Sequence, residues 1–84
     1  IGPGDRVCAW LPNGPDLILA WFATNYLGAT FVPLNTAYRG DSLRNVVAAS
    51  RARLMLAHHE LVPRLGGLQL PDLERVVPVG GTAT

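Results

Sequence analysis

The run Arg6-Val7-Cys8-Ala9-Trp10-Leu11 decides the fold predicted for this sequence. It is short and mostly apolar, and turn residues stand on both sides, with Gly4-Asp5 before it and Pro12-Asn13-Gly14-Pro15 after it. An apolar run of this length between turn residues is typical of a strand that is buried in a parallel sheet. We therefore predict a buried strand over residues 6–11.

A helix is predicted directly after this strand. Pro15 suits the first helical position, Asp16 favours the positive end of the helix dipole, and Gly28 supplies a left-handed exit just beyond Leu27. Apolar residues cover most of the circumference, namely Leu17, Ile18, Leu19, Trp21, Phe22, Tyr26 and Leu27. Because an 84-residue monomer would struggle to cover such a helix, we expect it to be largely buried against neighbours outside this sequence.

A second strand and a second helix follow. Residues 30–34 are rich in β-forming side chains, and Pro33 marks the end of that strand, where one ladder donor can be spared. Asp41 can cap the second helix. The i, i+3, i+4 spacing of an amphipathic helix is shown by Leu43, Val46 and Val47.

The rest of the sequence predicts two more strands. Residues 54–57 form a third apolar run, and residues 58–65 predict a turn or short helix. Residues 75–79 predict a fourth strand, which Pro78 weakens and so places at an edge. Strands separated by helical segments imply right-handed crossovers, so the predicted fold class is α/β, a Rossmann-like mostly parallel sheet with alternating helices.

The composition bounds the size of the protein and its partners. The sequence has 84 residues and is one domain at most, while each strand-helix-strand unit takes about 30 residues, so we expect part of a larger domain. The formal net charge of +1 lacks the basic excess of a nucleic-acid binder. We therefore expect no nucleic-acid partner. We also expect no transmembrane segment, because no window of the sequence reaches the about 20 apolar residues that span a bilayer.

The expected compartment is the cytoplasm. Cys8 is the single cysteine, so an intrachain disulfide is impossible, and it is interpreted as a small buried apolar residue. No basic-then-apolar signal peptide is present at the start. Because the sequence opens at Ile1 with Gly2-Pro3-Gly4, we expect both termini to lie inside a longer sequence.

Five segments, taken in order, resemble the N-terminal domain of the adenylate-forming acyl-CoA synthetases and ligases. They are Gly4-Asp5-Arg6-Val7, Leu11-Pro12-Asn13-Gly14-Pro15, Ala20-Trp21-Phe22-Ala23, Leu27-Gly28-Ala29 and Val32-Pro33-Leu34-Asn35-Thr36-Ala37-Tyr38-Arg39-Gly40-Asp41. The last segment is most similar to the carnitine and crotonobetaine CoA ligases and their fatty-acid relatives. The resemblance implies that residues 1–84 are a partial N-terminal subdomain of an AMP-binding domain.

The resemblance also implies an activity for the longer protein. Enzymes of this family activate a carboxylic acid with ATP as an acyl-adenylate and transfer the acyl group to coenzyme A, with Mg²⁺ at the phosphates. The family's phosphate loop and its lysines have no counterpart here, since the sequence contains no lysine. Gly80-Gly81-Thr82-Ala83-Thr84 is interpreted as a connector. We therefore expect no catalytic residue in this chain, no tight binding of these cofactors by it alone, and no activity of the isolated fragment.

Two residues are candidates for contact with coenzyme A. Ligands of doubly wound sheets gather at the carboxyl ends of the strands, and Asn35 and Arg64 follow the second and third strands. In the acetyl-CoA synthetase branch, the corresponding loops lie near the nucleotide end of coenzyme A, which implies that Arg64 meets a phosphate. Each candidate also has a plainer alternative: Asn35 can bond nearby backbone, and Arg64 can be a solvated surface arginine. Arg39, in the same loop as Asn35, is interpreted as an exposed charge or a partner of Asp41.

The remaining patterns favour structural roles. His58-His59-Glu60 contains metal-ligating residue types, but adjacent residues at a strand end are expected to point to opposite faces, so no metal site is predicted. The aromatic residues are predicted to pack in the core and not to stack on bases; they are Trp10, Trp21, Phe22 and Tyr26. Arg51 stands where relatives place glycine after the second helix, so it is expected to adopt a left-handed conformation.

Two other classes of function stay open at this point. One is a standalone Rossmann-like binding or structural module without catalysis, which the alternation of strands and helices permits. The other is a different adenylating enzyme, such as a peptide-synthetase adenylation domain or a luciferase-like oxidase, which shares the early architecture.

Overall fold

Strands and helices alternate along the part of the chain that the computed structural model describes, residues 2–80. The elements are β1 (Arg6–Trp10), α1 (Pro15–Tyr26), β2 (Thr30–Pro33), α2 (Gly40–Ser50), β3 (Leu54–His58) and β4 (Arg75–Val79), with a short 3₁₀ helix at Val62–Leu65 between β3 and β4. Each predicted element is present, and the predicted bounds differ from these by a residue or so at the ends. The connector predicted beyond Gly80 lies outside the described residues.

The four strands form one parallel sheet in the order β2-β1-β3-β4. β1 pairs with β2 on one side and with β3 on the other, so it lies in the interior of the sheet. β4 pairs with β3 at an edge, where the missing N–H of Pro78 disturbs one ladder and not two. The predicted α/β fold with a mostly parallel sheet is confirmed.

One face of the sheet is packed against α2. The inward side chains of β1 on this face are Cys8 and Trp10, both fully buried. The rest of the buried cluster comes from the neighbouring elements, namely Leu34, Leu43, Val47, Ala52, Met55, Ala57 and Leu61. Burial raises the pKa of the Cys8 thiol, whose Sγ lies 3.3 Å from the Ser50 Oγ. The interpretation of Cys8 as a buried apolar residue is confirmed.

The opposite face of the sheet is covered by α1. The buried side chains on this face are fewer and smaller than those on the α2 face. The buried cluster on the α1 face consists of Ala9, Leu11 and Ala20. Within α1 itself, Ala20 and Thr24 are the buried residues, and the Thr24 hydroxyl donates to the Ala20 carbonyl at 2.7 Å. A helix whose contact stripe is built from small side chains sits close to the sheet and leaves its larger side chains pointing outward.

The large apolar side chains of α1 are exposed within residues 2–80, so the expected burial of this helix against neighbours outside the sequence stays a prediction. Tyr26 is 91% exposed and Leu19 is 65% exposed. The other exposed members of this face are Ile18, Trp21, Phe22 and Leu27. Core packing is therefore confirmed for Trp10 and wrong, within residues 2–80, for Trp21, Phe22 and Tyr26. We call these six exposed residues the outer face of α1.

The start of α2 also differs from the prediction. Its N-cap position is held by Arg39 in an extended conformation, without a side-chain cap, and the helix begins at Gly40. Asp41 therefore lies inside the first turn, where the helix dipole still favours a carboxylate. Its Oδ1 lies 3.4 Å from the Arg44 Nη2, so Asp41 pairs with Arg44. The predicted capping role of Asp41 is wrong.

Arg51 ends α2 in the left-handed conformation, with φ 56° and ψ 29°, as predicted. It is the one residue other than glycine with a positive φ among residues 2–80. This conformation brings its Cβ close to the following carbonyl, at a cost of about 1 kcal/mol. Its N–H still closes the helix by donating to the Ala48 carbonyl at 3.2 Å.

A three-way ion pair joins the beginnings of β1, β3 and β4. Nε and Nη2 of Arg53 donate to the two carboxylate oxygens of Glu74 at 2.9 and 3.2 Å, and Nη1 donates to Asp5 Oδ1 at 3.0 Å. The Gly2 N–H and the Arg53 guanidinium both lower the pKa of Asp5. Arg53 lowers the pKa of Glu74. The protein gains stability from these carboxylates only while they are ionised.

None of the helices in residues 2–80 is long and apolar enough to cross a membrane.

We predict that Arg51→Gly stabilises α2. Glycine adopts the left-handed conformation without the Cβ clash, so the opening free energy of the α2 amides should rise by up to about 1 kcal/mol. Native-state hydrogen exchange of peptides from α2 measures this quantity. Arg51→Ala is the matched control, because it removes the same charge and keeps the Cβ. Equal effects of the two variants would contradict the prediction.

We predict that the effect of Arg53→Gln on stability depends on pH. Asp5 and Glu74 have lowered pKa values in the folded protein, so their contribution is complete above the ordinary carboxyl pKa of about 4 and is lost as the pH falls through the lowered values. Arg53→Gln should therefore speed the exchange of β3 and β4 amides at neutral pH and have a smaller effect at an acid pH that protonates both carboxylates in the folded protein.

The matched control is Arg44→Gln. It removes another arginine, whose ion pair with Asp41 joins residues of one helical turn and is exposed. It should change the exchange of β3 and β4 at neither pH. A loss of protection in Arg53→Gln that is the same at both pH values would contradict the role of the carboxylates.

Candidate functional site

The loops at the carboxyl ends of β1, β2 and β3 form two adjoining cavities. The chain passes from β1 to β2 on one side and then returns to place β3 on the other side of β1. The direction of winding therefore reverses between β1 and β3. Loops diverge at such a point, and in open parallel sheets the resulting crevice is where ligands bind.

The first cavity lies between the loop after β1 and the loop after β2. Its volume is about 440 Å³. It is lined by Leu11, Pro12, Asn13, Leu17, Pro33, Leu34, Asn35 and Thr36. Asn35, one of the two predicted coenzyme A contacts, is therefore part of a cavity wall.

Asn35 is fixed by hydrogen bonds to its own loop and to the core. The Trp10 Nε1–H donates to the Asn35 carbonyl at 3.0 Å, and the Asn35 Oδ1 accepts the Ala37 N–H at 2.8 Å. The second bond is an Asx turn, which matches the plainer role considered for this residue from the sequence. Contact between Asn35 and a ligand stays a prediction.

The second cavity lies at the reversal point itself, between the loops after β1 and β3. Its volume is about 400 Å³, and it is lined by Pro12, Thr36, His58, Glu60, Leu61 and Arg64. Pro12 and Thr36 belong to both cavities, so the two are continuous along the end of the sheet. The structure thus brings Asn35 and Arg64, which are far apart in the sequence, to one edge.

Arg64 is half-buried in the short 3₁₀ helix and points toward the β2–α2 loop. Its Nη1 donates to the Thr36 carbonyl at 2.6 Å. A guanidinium has five N–H donors, and this bond uses one of them. Arg64 is therefore an anchored cation in a cavity wall, and the solvated surface arginine considered from the sequence is wrong in that respect.

His58, His59 and Glu60 form a compact group beside this cavity. The imidazole centroids of His58 and His59 are 4.6 Å apart with an interplanar angle of 34°, so the rings lie side by side. The prediction that they point to opposite faces is wrong because β3 ends at His58, and His59 already belongs to a turn in which strand alternation no longer applies.

Pro12 and Thr36 are site residues that sequence reasoning missed. Thr36 lies in the loop after β2, to which the carboxyl-end rule pointed, whereas Pro12 lies in the loop after β1, to which the sequence analysis did not apply that rule. The signal that was lacking is the strand order, since only the placement of β1 between β2 and β3 makes both loops neighbours of Arg64. Neither side chain carries a charge, so composition gave no hint.

Comparison with known proteins identifies the family. The sequence matches the AMP-binding enzyme family over residues 1–81. It is 31% identical over 80 residues to acetyl-coenzyme A synthetase from Bacillus subtilis, which covers 95% of this chain and 14% of that protein. It is 34% identical over 73 residues to enterobactin synthase component F from Escherichia coli O157:H7, covering 87% of this chain and 6% of that protein.

A solved structure supports the same relationship. The long-chain-fatty-acid-CoA ligase of Archaeoglobus fulgidus superimposes with a TM-score of 0.89 at 29% sequence identity, covering 98% of this chain and 17% of that one. The chain therefore spans a small part of the length of the proteins that it matches. It belongs to the AMP-binding enzyme family and corresponds to part of the N-terminal domain of the adenylate-forming ligases.

Proposed function

We propose that residues 1–84 are part of an ATP-dependent carboxylate–CoA ligase. In the first step a carboxylate oxygen attacks the α-phosphorus of ATP, the bond to the β-phosphate breaks, and pyrophosphate leaves. In the second step the thiol of coenzyme A attacks the acyl carbonyl, AMP leaves with the bonding electron pair, and the thiol proton is released. The observation that carries this proposal is the family match over residues 1–81 together with the similarity to acetyl-coenzyme A synthetase.

We propose that the groups needed for the first step lie outside these 84 residues. Phosphoryl chemistry uses a loop of backbone donors, a cation at the phosphates and bound Mg²⁺. The chain has no lysine, and Arg64 is the cation that lines the described cavities. We therefore assign ATP and Mg²⁺ to the rest of the protein and propose that the 84 residues alone form no acyl-adenylate.

The part of the reaction that this segment can serve is the binding of coenzyme A. Arg64 presents a half-buried guanidinium at the winding reversal, where phosphate groups are commonly bound in α/β folds. Asn35 lies on the adjoining wall, and its loop is held in place by Trp10. These two residues are the coenzyme A contacts predicted from the sequence, and a 3′-phosphate or pyrophosphate is the group that Arg64 suits. ATP and reduced coenzyme A also fit the cytoplasmic location expected from the sequence.

The outer face of α1 has a place in the same proposal. Six large apolar side chains on one helix are costly to leave in water, and the chain spans 14% of acetyl-coenzyme A synthetase. We propose that other parts of the same domain cover this face. Such a cover also fits the small buried cluster on the α1 side of the sheet, against which Leu17, Phe31, Leu56 and Val79 are only partly buried.

A second candidate is an adenylating enzyme whose acceptor is not coenzyme A. The match to enterobactin synthase component F favours it, because that relative is not named as a CoA ligase. Mass spectrometry of the products separates the two candidates, since an acyl-CoA thioester supports the first, and an acyl-adenylate that never reacts with coenzyme A supports the second.

We predict that Arg64→Gln separates the two half-reactions in the longer protein. The KM for coenzyme A should rise about tenfold, because a charge-assisted bond to phosphate is lost. Carboxylate-dependent exchange between ATP and pyrophosphate should stay unchanged, and the isolated 84-residue chain should show no exchange. Arg44→Gln removes an arginine of α2 that lines neither cavity and is the matched control. An unchanged KM for coenzyme A in Arg64→Gln would contradict the assignment.

We predict that Trp21 changes its exposure between the isolated chain and the longer protein. Trp21 is 46% exposed here, whereas Trp10 is fully buried. Acrylamide should quench the fluorescence of Trp21, measured in Trp10→Phe, strongly in the isolated chain and weakly in the longer protein. The converse variant Trp21→Phe reports on Trp10, which should be protected in both. Strong quenching of Trp21 in the longer protein would contradict coverage of the outer face of α1.

A further inference from the structure

We propose that His58, His59 and Glu60 bind a divalent transition metal of the zinc class at the end of β3. One donor atom from each of these side chains lies within 4.8 Å of the other two, and they form the one such group of three found among residues 2–80. The proposal does not depend on the activity of the longer protein. It concerns a second site, next to the cavity that contains Arg64.

The ligand set fits zinc. Two imidazoles and one carboxylate, with an open fourth position, are a known arrangement for Zn²⁺. Harder cations such as Mg²⁺ and Ca²⁺ prefer oxygen ligands, so two imidazoles select against them. Tetrahedral Zn²⁺ with bonds of about 2.1 Å needs its donor atoms about 3.4 Å apart. The His58 Nδ1 and the Glu60 Oε1 are already 3.8 Å apart.

The hydrogen bond that His58 accepts also suits a metal site. Its Nδ1 accepts the Glu60 N–H at 3.2 Å, so the neutral ring carries its proton on Nε2, and the lone pair of Nδ1 faces Glu60. A metal that displaces the Glu60 N–H from this hydrogen bond therefore meets an unprotonated nitrogen. His59 and Glu60 are exposed and can close in by side-chain rotation alone.

Gly80 leaves room for a supporting carboxylate behind the ring. A Cβ built at this position would lie 3.3 Å from the His58 Nε2 and 3.6 Å from the Asp16 Oδ2. The proton-bearing nitrogen and a carboxylate therefore border the same gap. No hydrogen bond or ion pair joins Asp16 to His58 within residues 2–80, so this carboxylate would have to move closer before it could orient a metal-bound imidazole and raise its basicity.

The open coordination position is accessible to a fourth ligand. His58 and Glu60 line the cavity that also contains Arg64, so a water or an anion in that cavity can reach the open coordination position. Only three donors come from the protein, two of them exposed, so the affinity should be well below that of a closed four-ligand zinc site.

Isothermal titration calorimetry with ZnCl₂ tests the proposal. The sample is the longest form of the protein that is soluble, and it contains the whole 84-residue chain. We expect saturable binding of one Zn²⁺ that His59→Gln and Glu60→Gln each weaken at least about tenfold. Both residues are exposed, so these variants keep the fold, which far-UV circular dichroism verifies. Asp72→Asn removes an exposed carboxylate outside the group and should leave the affinity unchanged.

A second measurement shows whether the folded turn makes the site. A synthetic peptide of residues 57–62 carries the same three ligands without the sheet and should bind Zn²⁺ at least about tenfold more weakly. Equal affinity of peptide and protein, or binding that is unchanged in His59→Gln and Glu60→Gln, would overturn the proposal. So would a titration in which Mg²⁺ competes as well as Zn²⁺.

Discussion

The double pairing of β1 is the constraint on which the rest of this structure depends. β1 shares parallel ladders with β2 and β3, so its backbone is satisfied on both sides and its side chains face two different layers. Cys8 and Trp10 enter the cluster under α2, whereas Ala9 and Leu11 enter the cluster under α1. A strand with both faces buried must be apolar throughout, and this is what makes residues 6–11 recognisable in the sequence.

The sequence predicts the elements well because local chemistry determines them. Pro15 and Gly28 bound α1 by fixed backbone preferences, whereas the left-handed conformation of Arg51 was expected because relatives place glycine after the second helix. Asp41 shows the limit of this reasoning. A carboxylate near a helix start fits both the cap and the first turn, and only the extended backbone of Arg39 settles which position it occupies.

The sequence predicted that α1 needs neighbours outside this chain, but not which of its side chains this chain alone leaves exposed, because burial is a property of what surrounds a helix. The apolar circumference correctly indicated a helix that needs neighbours on several sides. The described residues provide one such neighbour, the sheet, and it takes only the stripe that contains Ala20 and Thr24. The polarity of the helix was thus predicted correctly, while its environment within this chain was not.

The candidate site depends on backbone carbonyls, which no sequence motif displays. Trp10 holds the β2–α2 loop through the Asn35 carbonyl, and Arg64 holds it again through the Thr36 carbonyl. The core strand and the loop after β3 are therefore joined to the same two consecutive residues, and a change in either anchor moves both cavities. Their places after the second and third strands, together with the family resemblance, suggested Asn35 and Arg64 as ligand contacts. The structure adds that each also maintains the shape of the wall, so a variant at Arg64 must be judged by which half-reaction it impairs and not by loss of activity alone.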